Sequence, residues 1–123
     1  MKKIFFVLFL FTCINCFAQG PLQFGTTKHS FGNIVQNSPK TYAFTFKNIS
    51  SKPLVVEVAT AECGCTTPEY PKEPIAKGRE GVIKVTYNAA AAGAFSKKVT
   101  VKFAGVDEPT ILTIDGVVIE KKS

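Results

Sequence analysis

The sequence predicts an all-β domain, an immunoglobulin-like antiparallel β-sandwich of about seven strands. Two observations carry this expectation. Apolar residues alternate with polar ones at a period of two through most of the chain, the pattern of strands with one buried and one wet face. Clusters of Gly, Pro, Asn and Ser interrupt that alternation at short intervals, as turns between strands do. No window keeps a helical period; the run Ala89–Ala92 contains good helix formers but meets Gly93 at once and is too short to stand alone.

Taken in order, residues 22–31 are expected to supply one or two short strands. In residues 41–47, Tyr42, Phe44 and Phe46 share one face and Ala43, Thr45 and Lys47 the other. In residues 53–60, Leu54, Val56 and Val58 are expected to face the core, with Glu57 opposite. Residues 81–87 set Ile83, Val85 and Tyr87 against Lys84 and Thr86. Residues 95–103 place Val99, Val101 and Phe103 inward and Lys98, Thr100 and Lys102 outward. Residues 110–119 close the series with Leu112, Ile114 and Val118 on one side. Turns are expected at 37–39, 48–53, 76–81, 92–93 and 105–109, each marked by Gly, Pro or Asn. No internal repeat, linker or low-complexity tract divides the chain.

The first 18 residues read as an export leader. Lys2 and Lys3 precede an unbroken apolar run over residues 4–11, and a more polar stretch ends in Cys16-Phe17-Ala18. Cleavage is expected after Ala18, leaving residues 19–123 as one domain in the periplasm or cell envelope. The apolar run falls short of the roughly 20 residues that span a bilayer, and no later stretch is apolar enough to cross one. Lipidation at Cys13 or Cys16 is the weaker reading, because Thr12 and Asn15 stand where a small residue is expected. The leader removes two of 15 basic residues, so 13 remain against 9 acidic ones, a net charge of +4. These lysines are scattered among apolar residues instead of clustered with exposed aromatics, which argues against nucleic-acid binding. Solvated strand faces explain them, and lysine there also discourages edge-to-edge aggregation.

Only Cys63 and Cys65 remain beyond the leader, separated by Gly64. In an extended backbone residues i and i+2 project to the same side, so both sulfurs share a face. Three readings stand open. The pair can form a disulfide, which a kink at Gly64 brings within reach; so small a ring is strained and labile and adds little stability. It can hold a soft metal, copper(I) between two thiolates or half of a zinc site, although the only histidine is His29 and the nearby oxygens belong to Glu62 and Glu69. Or it can be inert packing at a strand end. No resident cofactor is expected. His29 reads as a strand-surface residue. Glu62 beside Cys63 raises a thiol pKa, which opposes a thioredoxin-like enzyme, as does the lack of a helix N-terminus. Ser30, Ser38 and Ser50 lack the partners of a catalytic triad, and Asp107-Glu108 reads as a solvated turn. The expectation is that the protein is not an enzyme.

The string Phe31-Gly32-Asn33-Ile34, Phe44-x-Phe46-Lys47-Asn48, Pro53-Leu54, Cys63-Gly64-Cys65-Thr66-Thr67-Pro68, Pro74-Ile75, Gly78 and Gly81 resembles the bacterial domain-of-unknown-function family 1573. The resemblance covers residues 22–119. It implies an exported protein of the kind abundant in Bacteroidetes, with an immunoglobulin-like sandwich akin to modules of motile sperm protein and ciliary proteins. It implies no activity. The resulting expectation is a binding or scaffolding module whose partner is a protein or envelope component. Its contact surface would be the edge strands and the loop Thr66, Thr67, Pro68, Glu69 and Tyr70, through loops or strand addition. The rival is a thiol-redox or copper- or zinc-handling protein using Cys63 and Cys65.

Overall fold

The alternating segments pair into two four-stranded sheets in a computed structural model, which describes residues 20–121. The expected leader, with Cys13 and Cys16, lies outside the described residues. The strands are β1 (Leu22–Phe24), β2 (Lys28–Val35), β3 (Lys40–Asn48), β4 (Val56–Ala61), β5 (Thr66–Glu69), β6 (Glu80–Tyr87), β7 (Gly93–Phe103) and β8 (Thr110–Ile119). The first sheet has the order β1-β3-β6-β5 and the second β2-β8-β7-β4. Their inner faces make the core. Phe44 and Phe46 of β3, Ile83 and Val85 of β6, Val99, Val101 and Phe103 of β7, and Leu112 and Ile114 of β8 are all buried. Each such side chain contributes roughly 1.5–3 kcal/mol by leaving water.

Aromatic rings fill the space that aliphatic residues leave. Phe46 meets Phe24 at 5.4 Å and Phe103 at 5.2 Å between centroids, and Tyr87 stacks on Phe95 at 3.8 Å. Phe46 stands opposite Gly81 in the β3–β6 register, and a Cβ at Gly81 would meet the Phe46 ring. The glycine is the gap through which that ring lies flat. Asn48, at the end of β3, is fully buried and fully satisfied. Its Nδ2 donates to the carbonyls of Lys52 and Ile75, both at 2.8 Å, while Oδ1 accepts from the amide and hydroxyl of Ser50.

The sandwich of the sequence reading holds, and the structure refines it in four places. The described residues hold eight strands, because the expected segment at 22–31 becomes β1 and the start of β2, which runs on to Val35, and because β5 is an additional strand. The β2–β8 pair runs parallel, from Lys28 opposite Thr113 to Val35 opposite Ile119; side-chain alternation is blind to strand direction. Val58 is 40% exposed, against the expected core position. A register shift between Val56 and Val58 in the β4–β7 ladder sets Glu57 and Val58 both outward, and Ala59 takes the buried place. Leu54 is buried as expected, but it pairs with Ile75 before β4 begins, through amide bonds of 2.8 and 2.7 Å.

Candidate functional site

Residues 62–65 carry the chain from β4 in one sheet to β5 in the other. Hydrogen bonds tie this crossing down at Glu62, Cys63 and Cys65. The Glu62 amide donates to the Lys98 carbonyl at 3.2 Å, and the Glu62 carboxylate accepts from the Lys98 amide at 3.0 Å. The Cys63 carbonyl accepts the Thr66 amide, and the Cys65 carbonyl accepts the Asn88 amide at 2.9 Å. Within this frame Cys63 and Cys65 are joined as a disulfide, with Cα atoms 5.3 Å apart. That lies inside the usual range for bonded pairs. Gly64 is exposed between them.

Thr66 begins β5 and turns its side chain inward, where it is 4% exposed. Its hydroxyl lies 3.8 Å from Cys63 Sγ and 3.7 Å from Cys65 Sγ. Bonded sulfurs carry no proton, so the hydroxyl is the donor, with its one proton shared between the two. Sequence alone does not disclose this contact, because it marks residues 66–70 as a loop. Thr66–Glu69 is instead a strand, paired with β6 from Tyr87 to Lys84. Pro68 suggested a loop, yet proline is at home on an edge strand. With Cys65 and Asn88 hydrogen-bonded, the antiparallel alternation aims the amides of Thr67 and Glu69 at β6. Thr66 and Pro68 therefore face the open edge. The Thr66 N–H is already taken by Cys63, and Pro68 has none.

At the far end of β5 the chain turns through Tyr70 and Pro71. With Ile75, Gly81 and Val82 these residues line a shallow surface groove whose polar rim is Glu69, Glu80 and Lys84. Lys72 Nζ sits 3.8 Å above the Tyr70 ring. At ~3.3 Å per residue, β5 sets the disulfide and the groove on the order of 13 Å apart along one strand. Val82 was not singled out from sequence, and Ile75 entered only as part of the family resemblance and not as a site residue; an outward valine on a core strand was the available signal for the former.

His29 lies on β2, stacked on Tyr42 at 3.7 Å and edge-on to Phe31 at 4.8 Å, apart from the cysteines. Among the described residues, no three His, Cys, Asp or Glu side chains gather as a metal-binding group.

A search of curated proteins finds no match. Among solved structures, a protein of unknown function from Porphyromonas gingivalis W83 superposes with a TM-score of 0.68 at 11% identity, covering 85% of this chain and 51% of that one. The chain thus spans about half of that protein's length. PapD-like domain 7 of human CEP192 gives a TM-score of 0.66 at 8% identity, covering 83% and 87%. The YadV chaperone gives 0.57 at 15% identity, covering 85% and 55%. At such identities the likeness is one of fold. The sequence model of the family described as "Protein of unknown function (DUF1573)" matches residues 22–118. Over that span, which takes in all of β1 to β7 and nearly all of β8, this chain belongs to that family.

Proposed function

We propose that this protein is an exported binding or scaffolding module of the cell envelope. It holds a partner polypeptide by side-chain contacts in the groove of Tyr70, Pro71, Ile75 and Val82. The observation that carries this reading is the placement of that apolar groove beside strands whose edges are closed to pairing. β5 offers no free N–H from Thr66 to Pro68. β4 and β2 carry register shifts at Val56/Val58 and Ser30/Asn33, and β1 has three residues. Proline, bulges and short length are the devices that keep sheet edges from adding strands. Strand addition is therefore the less favoured of the two routes expected from sequence, and surface contact the more favoured. The PapD-like and chaperone-like folds of the structural neighbours are consistent with a protein-binding role. Export rests on the leader pattern of residues 1–18.

The test is a photo-reactive amino acid introduced at Lys84, on the groove rim, or at Glu57, exposed on the other sheet, in cells of the native host. A discrete cross-linked species is expected from position 84 alone, and Tyr70→Ala should remove it. Equal adducts at both positions, or none at 84, would refute the groove as the contact surface.

A further inference from the structure

We propose that the Cys63–Cys65 disulfide is a thiol–disulfide exchange site, and that the Thr66 hydroxyl stabilises the thiolate released when it opens. The site is independent of groove binding.

The bond is poorly placed to serve as a staple. It encloses a single residue, and cross-links constrain the unfolded chain least when the loop is shortest. The crossing is held without it: Glu62 is bonded twice to Lys98, Cys63 to Thr66, and Cys65 to Asn88. Both cysteines keep their places when the sulfurs part. Access is open from one side. Both cysteines are only half-buried and Gly64 between them is exposed. An attacking thiol approaches the bond from the solvent side of this crossing.

Thr66 is the second, independent observation. A buried threonine in a core built of valines spends a hydroxyl where a methyl would fill the same shape. Here the hydroxyl is nearly equidistant from the two sulfurs, at 3.8 and 3.7 Å. It is a weak donor to a neutral disulfide and a much stronger one to a thiolate. Donation to the charged form lowers a thiol's pKa, against the upward pull of the Glu62 carboxylate, which accepts the Lys98 amide, and a lower leaving-group pKa speeds exchange. Because it reaches both sulfurs, it serves whichever of them leaves.

The chemistry closes on thiols alone. A substrate thiolate attacks one Sγ and forms a new S–S bond to it. The Cys63–Cys65 bond breaks, and its electron pair stays on the other Sγ as the thiolate that Thr66 holds. A second substrate thiol attacks the mixed disulfide and frees the first sulfur. Two substrate thiols are thereby oxidised to one disulfide, and the pair is reduced to two thiols, which take up the two protons. The substrate class is an accessible thiol, carried by a protein or by a small molecule.

The purified chain in native buffer is exposed either to reduced glutathione or to an unfolded peptide bearing two cysteines, acid-quenched and alkylated, and weighed by mass spectrometry. A mixed-disulfide adduct followed by two alkylated cysteines is expected without denaturant. Faster reaction with the peptide identifies protein thiols as the substrate, and faster reaction with glutathione identifies small ones. Thr66→Val should slow opening several-fold and raise the lower thiol pKa by about one unit, read from the pH dependence of thiolate absorbance; the rate responds less than the pKa because exchange expresses only part of the leaving group's basicity. Thr66→Ser should restore both. If Thr66→Val fails to fold, Thr66→Ala takes its place. A disulfide that opens only in denaturant overturns the proposal. So do hydroxyl-free variants that exchange and titrate like the unaltered chain.

Discussion

Asn48 shows how much a single side chain can organise. One amide closes the loop between β3 and Leu54 by bonding Lys52 and Ser50, and reaches across to Ile75 in the loop that follows β5. Removing it takes one donor from each of two carbonyls, which keep the Leu54 amide at Ile75 and the Ser50 hydroxyl at Lys52, and leaves a gap at a fully buried position. Asn48→Ala is expected to lower stability by roughly 1–3 kcal/mol in urea unfolding, the ordinary range for losing hydrogen bonds and packing together. Asn48→Asp should fall close behind, since it keeps the acceptor but loses both donations. The sequence placed Asn48 at a turn, where asparagine is common. It did not disclose the second reach to Ile75, because a contact across 27 residues leaves no local pattern.

At the scale of the strand, alternation was a reliable guide wherever both neighbours were regular. Phe44 and Phe46, Ile83 and Val85, and Val99, Val101 and Phe103 all lie in the core as their spacing required. It failed where a ladder slips: Val58 sits outside because the β4–β7 register shifts beside it, and a bulge depends on the partner strand. The same limit hid β5. Its four residues are too few to establish a period, and Pro68 spoke for a loop until its edge position was known. For the site, spacing put the two cysteines on one face but left a disulfide, a metal site and inert packing all open, and the Thr66 donor needed the inward turn of β5. Gly116 belongs to this scale too. In β8, beside the irregularity in β2, its missing side chain admits the Gly32 carbonyl and the Phe95 ring: a Cβ there would stand 2.7 Å from the former and 3.0 Å from the latter. Gly116→Ala is expected to cost about 1–3 kcal/mol, the scale of overpacking, seen as a lowered urea midpoint. Gly64→Ala, where nothing lies near, should leave that midpoint almost unmoved.

The whole molecule is assembled from pairings between distant segments. β1 joins β3, β4 joins β7 across the intervening β5 and β6, and β2 joins β8 from opposite ends of the domain. Loop closure must precede the contacts that reward it, and such topologies fold slowly. Refolding from urea, followed by tyrosine fluorescence, is expected on a timescale of milliseconds to seconds; a microsecond relaxation would contradict this order of assembly. The parallel β2–β8 pair has a further consequence. β8 is the last strand of the domain to be synthesised, yet it lies in the interior of its sheet, between β2 and β7. Until it arrives, β2 has no neighbour in its own sheet and β7 has one side bare. However the chain is delivered, from its first residue onward, the domain cannot be finished in instalments: it stays open until β8 is free, and then closes as one body.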